Sequence, residues 1–317
     1  MTRVRRRTVL GALAAAALLP SCSSPLADVR LRIATGSASG VYFQLGTALA
    51  RAWQAELRFT RHPEVLNTAG SVQNVAMLAA GEADVVFSQA DAAASGLAGL
   101  AADDPAAPRA LARIYDDVLH VVVPADSPIT TVDDLRGARV SVGATNSGVA
   151  LVAGRLLDAA GLATADLRAV QLGLDGSAAA MAAGQIDAFF WSGGLPTPAV
   201  RELAEGLPIR LLDLDADGVL TAVRARYPVY APGTAPAQIY RGVTVPVTTM
   251  LVRNYLLVDA ALPDDLAAAL VRVLFEEQAM LSEAGPSTMT IDPRAAISTQ
   301  PILLHPGAER YYRSERG

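Results

Sequence analysis

Arg32-Ile33-Ala34-Thr35-Gly36 runs through Ser39-Gly40-Val41 into an apolar stretch that ends near Trp53. A hundred residues later, Arg139-Val140-Ser141-Val142-Gly143 runs through Ser147-Gly148-Val149 into another that ends near Gly161. Each copy reads as a short buried strand, a Gly/Ser turn and an amphipathic helix. A second pair of segments follows in the same order. Ala79-Ala80-Gly81-Glu82-Ala83-Asp84-Val85-Val86-Phe87 parallels Ala182-Ala183-Gly184-Gln185-Ile186-Asp187-Ala188-Phe189-Phe190. Gly36 and Gly81 are 45 residues apart, Gly143 and Gly184 41, so two motifs recur in order at nearly equal spacing. In a chain this rich in alanine, the Ala-Ala-Gly match alone carries little; the weight rests on Gly, Asp and Phe together. An internal repeat of this kind predicts two similar α/β lobes.

The rest of the chain can be placed around that repeat. Helices over 71–80 and 177–183 end at Gly81 and Gly184, residues suited to the left-handed position after a helix. Asp84 and Asp187 follow, as ties between helix and strand, and then a strand in each copy gives parallel βαβ order. An apolar strand over 119–123 ends at Pro124, an expected hinge. Asp133 is expected to cap a helix, and 209–214 reads as a strand. The stretch 227–246 holds prolines at 228, 232, 236 and 246 and reads as extended loop. Val247–Val258 resumes strand character and 264–284 reads as one unbroken helix. The expected division is 28–122 plus 245–317 for lobe one and 123–244 for lobe two.

Composition narrows the class. Of the 317 residues 52% are hydrophobic and 18% charged, which excludes disorder and leaves ample apolar surface for cores. All 26 basic residues are arginine, and with no basic stripe and 5% aromatics no nucleic-acid partner is expected. Arg3, Arg5, Arg6 and Arg7 precede an apolar run over 8–19. As a helix that run spans about 18 Å, too short for a hydrocarbon core of ~30 Å. Residues 1–21 are therefore expected to be a signal peptide. Arg6-Arg7-Thr8-Val9-Leu10 resembles a twin-arginine signal, and Ser21-Cys22 resembles a lipobox whose cysteine is acylated. Cleavage would leave 22 arginines against 31 acidic residues, a net charge of −9. With Cys22 the one cysteine, disulfides and thiolate metal sites are excluded. His62, His120 and His305 lack metal-ligand spacing, and no cofactor is expected.

Further motifs carry a family resemblance. Thr35-Gly36-Ser37-Ala38-Ser39-Gly40-Val41-Tyr42 and Thr68-Ala69-Gly70-Ser71-Val72-Gln73-Asn74 stand early, with Gln89 after the first Ala-Ala-Gly segment. Val123-Pro124-Ala125-Asp126-Ser127, Asp134-Leu135-Arg136-Gly137, Asp187-Ala188-Phe189-Phe190 with Pro196, and Arg226-Tyr227-Pro228 follow. His305-Pro306-Gly307-Ala308-Glu309-Arg310-Tyr311-Tyr312 closes the set. Over about residues 30 to 315 the chain resembles the TAXI solute receptors. These are extracytoplasmic binding proteins of one class of tripartite ATP-independent periplasmic (TRAP) transporters. The resemblance implies a class II periplasmic-binding-protein-like α/β fold: two Rossmann-like lobes with a ligand cleft between them. It also implies a solute such as glutamate, 2-oxoglutarate or another small carboxylate, handed to TRAP membrane subunits by a monomeric receptor. Trp191-Ser192 and Thr197 depart from the family pattern beside the expected pocket.

The residues themselves support a binder. A helix that opens after a Gly-rich turn offers unpaired N–H groups and about half a positive charge. Such ends hold carboxylate or phosphate without a cationic side chain. The turns Gly36, Ser37, Ser39, Gly40 and Asn146, Ser147, Gly148 provide one per lobe, at strand ends where α/β ligands sit. The alternative is that they are only tight turns with capping serines. Tyr42 and Trp191 read either as pocket walls or as core, Gln89 and Ser71 as binding residues, and Asn74 as a ligand contact or a cap. Arg61, Arg155 and Arg253 are each able to pair with a carboxylate. Gly40 and Gly148 are expected to allow close approach and unusual backbone angles.

Enzyme signatures are missing. The centre of Gly36-Ser37-Ala38-Ser39-Gly40 is alanine, not a nucleophilic serine, and neither a full G-x-G-x-x-G nor a lysine-bearing phosphate loop occurs. The pair Asp116-Asp117 reads as a solvated face. A non-enzymatic receptor is expected; the alternative is a ligand-sensing module on the same fold.

Overall fold

The computed structural model describes residues 26–282 and 291–315. The leader and Cys22 lie outside the described residues, as does the end of the helix expected over 264–284.

The first copy of the repeat builds β1 (Arg32–Ala34), α1 (Val41–Leu57), β2 (Glu64–Leu66), α2 (Ser71–Ala79), β3 (Val85–Gln89) and α3 (Ala90–Gly96). A long strand, β4 (Arg109–Pro124), leads to the second copy. That copy is β5 (Arg139–Ser141), α4 (Gly148–Ala159), β6 (Arg168–Val170), α5 (Leu174–Ala182) and β7 (Ala188–Gly193). After it come α6 (Pro198–Gly206), β8 (Ile209–Leu211), α7 (Val219–Arg226), β9 (Tyr230–Ala235) and the second long strand, β10 (Val247–Val258). The chain ends in α8 (Asp264–Glu276), α9 (Gln278–Ser282), α10 (Pro293–Ala296) and α11 (Pro306–Ser314).

Among the described residues all ten strands join one sheet, ordered β2-β1-β3-β10-β4-β7-β5-β6, with β8 on β4 and β9 on β10. The order is symmetric about its middle. In one half β1 lies parallel between β2 and β3, and β3 meets antiparallel β10. In the other, β5 lies parallel between β6 and β7, and β7 meets antiparallel β4. The two long strands belong to both halves. The first part of β4 pairs with β10 from Arg109↔Val258 to Val118↔Leu251; its end pairs with β7 from Val118↔Gly193 to Val122↔Phe189. The result is two lobes joined by two strands.

Each half has its own core, as a strand covered by helices must. Trp53, Leu49, Ile33 and Phe87 pack with Leu270 and Leu274 of α8 in lobe one, and the Trp53 indole donates to the Leu270 carbonyl at 3.1 Å. Val140, Val152, Leu156 and Phe190 centre lobe two. The repeat also recurs as one clasp. The Arg32 N–H donates to Asp84 at 2.7 Å and its guanidinium to Asp84 and the Gly81 carbonyl; Arg139, Asp187 and Gly184 do the same. The two aspartates thus tie the turn after a helix to the start of the neighbouring strand. Gly81 and Gly184 adopt φ of +66° and +65°, the left-handed conformation their position predicts.

Four local readings are corrected. The stretch 227–246 contains β9, because an edge strand paired on one side tolerates Pro232. Asp133 begins a three-residue 3-10 turn without capping it. Asp134 instead accepts the N–H groups of Thr130 at 2.9 Å and Thr131 at 3.0 Å, which hold its carboxyl down at about 2. The helix after β10 breaks at Glu277, between α8 and α9. The strand expected over 119–123 begins ten residues earlier, at Arg109.

Candidate functional site

Three helices start at one cavity where the lobes meet. Gly40 precedes α1, Gly70 precedes α2, and Ser147 caps α4 by accepting the Ala150 N–H at 3.0 Å. Gly36, Ser37, Gly40, Tyr42, Ser71, Gln89, Ser147, Gly148 and Trp191 all line this cavity, so nine of the twelve expected binding residues come together. The first N–H groups of a helix have no acceptor in the preceding turn, so the lining is rich in amides. The cavity is small, about 70 Å³.

The other three residues stand outside the lining. Asn74 is fully buried behind it, donating to the carbonyls of Thr35 and Phe87 at 2.6 and 2.8 Å. It knits β1 to β3. Ser39 donates to Asp175 at 2.9 Å, and the Asn146 carbonyl accepts the Gln73 N–H at 3.0 Å. Both are contacts between lobes. Ser147 spends its hydroxyl proton on the Ala144 carbonyl at 2.6 Å, so what it offers a ligand is backbone.

None of the three candidate arginines lines the cavity. Arg61 sits by a surface hollow with His62, and Arg253 lies on β10 opposite Asp116. Arg155 of α4 reaches across to α3, donating to Ser95 at 2.8 Å and lying 3.8 Å from the fully buried Asp91. It stacks on the Tyr227 ring at 4.5 Å, while the Tyr230 hydroxyl donates to Asp91 at 2.7 Å. Burial raises the Asp91 carboxyl, against the Tyr230 hydrogen bond and the Arg155 charge.

Sequence reasoning missed the floor of the cavity. Asp117, read as solvated, is 3% exposed. Its carboxylate accepts from the Gln89 amide at 2.8 Å and the Ser192 hydroxyl at 3.2 Å. Burial pushes it up to about 6, opposed by hydrogen bonds from Gln89, Asn254 and Ser192. The signal was available: two consecutive residues in a strand face opposite ways, so if Asp116 meets solvent, Asp117 points inward. Asp116 does pair outward with Arg113 at 2.6 Å. Tyr115 joins Tyr42 as a wall, with ring centroids 6.4 Å apart. Tyr42 also donates to Asn254, and Trp191 to Thr197 at 3.0 Å. Two of the three residues that depart from the family pattern, Trp191 and Thr197, therefore bond to each other.

Gly148 is the closest point of approach. A Cβ there would lie 2.1 Å from Gln89 Oε1 and 2.8 Å from Ser71 Oγ, both on lobe one. Its backbone is not in the left-handed region, and Gly40 has φ of −88°, so unusual angles are not the reason for either glycine. Space is the reason at Gly148. A Cβ on Gly40 would meet only its own turn, at 3.2 Å from Ser37.

His120 is buried between the Val118 carbonyl and the Tyr240 hydroxyl, and burial lowers it to about 4. It is a neutral structural residue in lobe two.

This architecture, two α/β lobes on a shared sheet with a cleft between them, is that of the periplasmic-binding-protein-like folds. The chain belongs to the NMT1-like family, whose family model matches residues 33–317. Several solved structures are similar to it. PhnD1 from Prochlorococcus marinus, in complex with methylphosphonate, is 12% identical with a TM-score of 0.51, covering 77% of this chain and 83% of its own. A Bordetella bronchiseptica protein is 18% identical with a TM-score of 0.50, covering 90% and 89%. The alkanesulfonate-binding protein SsuA from Xanthomonas axonopodis pv. citri, bound to MOPS, is 19% identical with a TM-score of 0.47, covering 90% and 83%.

Proposed function

We propose that this chain is an exported solute-binding receptor that captures one small carboxylate between its lobes and delivers it to a membrane permease. The observation that supports this most directly is the opening of three helix N-termini onto one interlobe cavity. Backbone amides hold an anion there, as helix ends do, with no arginine in the lining and no lysine in the chain. The receptor has no chemistry to perform and is not an enzyme. The methylphosphonate complex of PhnD1 is an anion held by the same fold.

The TAXI type, and with it a TRAP partner and a carboxylate such as glutamate or 2-oxoglutarate, rests on the motifs that run from Thr35-Gly36-Ser37 to Arg310-Tyr311-Tyr312. The division 28–122 plus 245–317 and 123–244 places the two crossings at the end of β4 and just before β10. The receptor is a periplasmic monomer without a cofactor, tethered through Cys22. Among the described residues no helix is long and apolar enough to cross a membrane.

A thermal-shift screen of organic and amino acids tests the reading. A true ligand at 100 times its Kd adds ~2.7 kcal/mol to stability, and small-angle scattering should show one bound molecule shrinking the radius of gyration. Turnover of the bound solute would overturn the receptor reading. Separately, radiolabelled fatty acid should enter the wild-type chain but not Cys22→Ala. A soluble mature form starting elsewhere would refute the anchor.

A further inference from the structure

We propose that the floor of the cavity is a site for an ammonium group, so that the solute is a small zwitterion that carries a carboxylate and an N–H-bearing amine. This rests on the receptor reading and narrows it. Asp117 puts a carboxylate on the floor, and no cationic side chain lines the cavity to neutralise it. Gln89 supplies the second observation. Its amide N–H groups go to Asp117 and Ser192, while its carbonyl oxygen is buried without a hydrogen-bond partner among the described residues. Two acceptors on adjacent lining residues call for a donor. Tyr42, Tyr115 and Trp191 add aromatic rings, whose faces attract a cation.

The two ends of such a solute fit opposite features. Its carboxylate goes to the helix N-termini and its ammonium to Asp117. A second carboxylate in the ammonium's place would meet Asp117 and the Gln89 oxygen, acceptor against acceptor. This disfavours dicarboxylates such as 2-oxoglutarate.

Protonation distinguishes the two. Burial, with a smaller push from the Asp116 charge, holds the free Asp117 carboxyl at about 6. The facing groups on β3, β7 and β10 are neutral Gln89, Ser192 and Asn254. The Tyr42 and Tyr115 phenols are kept protonated by burial and by the Asp117 charge. An ammonium favours ionised Asp117, so binding near pH 6 releases a proton; a second carboxylate favours the protonated form and takes one up.

The test is calorimetric titration of the full chain at pH 6, in buffers of different ionisation enthalpy, with glycine, 4-aminobutyrate, glycine betaine and succinate. At least one amine-bearing probe should bind tenfold or more tighter than succinate and release protons. Asp117→Asn should lose tenfold or more for that probe and abolish the release. Tighter binding of succinate with proton uptake would overturn this proposal and leave the receptor reading intact. Glycine betaine binding as tightly as the amines would also overturn it, since a quaternary nitrogen has no N–H for Gln89. If none of the four binds, the ammonium site falls, and the receptor reading is decided by the wider thermal-shift screen. The ligand panel and proton count on wild type decide the matter even if the variant misfolds.

Discussion

Gly148→Val should abolish tight solute binding while leaving the fold in place. The new Cβ would stand 2.1 Å from Gln89 and 2.8 Å from Ser71, so the start of α4 could no longer close on lobe one. Overpacking of that severity costs about 3 kcal/mol, roughly a hundredfold in affinity. The clash lies between lobes and not within one, so global stability should change little. Ser147→Ala removes a helix cap instead, at about 1 kcal/mol of stability, and leaves the amides at the cavity. The repeat pairs Gly40 with Gly148, yet Gly40→Val should cost much less, because its Cβ meets only Ser37 of its own turn. Calorimetric titration of each variant, after circular dichroism confirms folding, checks the order. Normal affinity in Gly148→Val would mean that the lobes do not close through this contact.

Arg155→Leu should favour the open form. In the closed lobes it strands the Asp91 carboxylate, fully buried, with Tyr230 and its own helix amides as remaining partners. Truncating one partner of such a pair costs about 2–5 kcal/mol, thirtyfold or more in affinity. Asp91 rehydrates when the lobes part, so the penalty falls on closure. Adding Asp91→Asn should recover most of the loss, because a neutral amide needs no cation. Burial raises the Asp91 carboxyl, so the variant's deficit should shrink as pH falls and the stranded group takes a proton. Scattering should show an expanded ensemble for the single variant and a compact one for the double. If the double variant binds no better than the single, Arg155 acts through Tyr227 stacking and not through charge.

Much of the molecule was legible in the residues. The repeat marked both βαβ units because strand, Gly/Ser turn and helix each leave a local signature, down to the Arg–Asp clasp. Gly36, Ser37, Gly40, Ser147 and Gly148 of the cavity were legible because helix starts after Gly-rich turns are a sequence feature. What misled was also local. Proline hid β9, and apolarity alone began β4 at 119, which left Asp116-Asp117 looking like a solvated loop.

The sequence by itself determined two similar α/β lobes and the Gly/Ser turns that start their helices, since strand, turn and helix each leave a local signature and the motifs recur at spacings of 45 and 41 residues. Only the tertiary structure decided that Asp117 is the cavity floor, that Asn74 is a structural knot, and that Ser39, Asn146 and Arg155 join the lobes. Those roles depend on which residues up to 136 positions apart meet when β4 and β10 carry the chain between lobes. Alternation along β4 turns Asp117 inward, but no local pattern names its partners or those of Asp91, which lie on another strand or the other lobe.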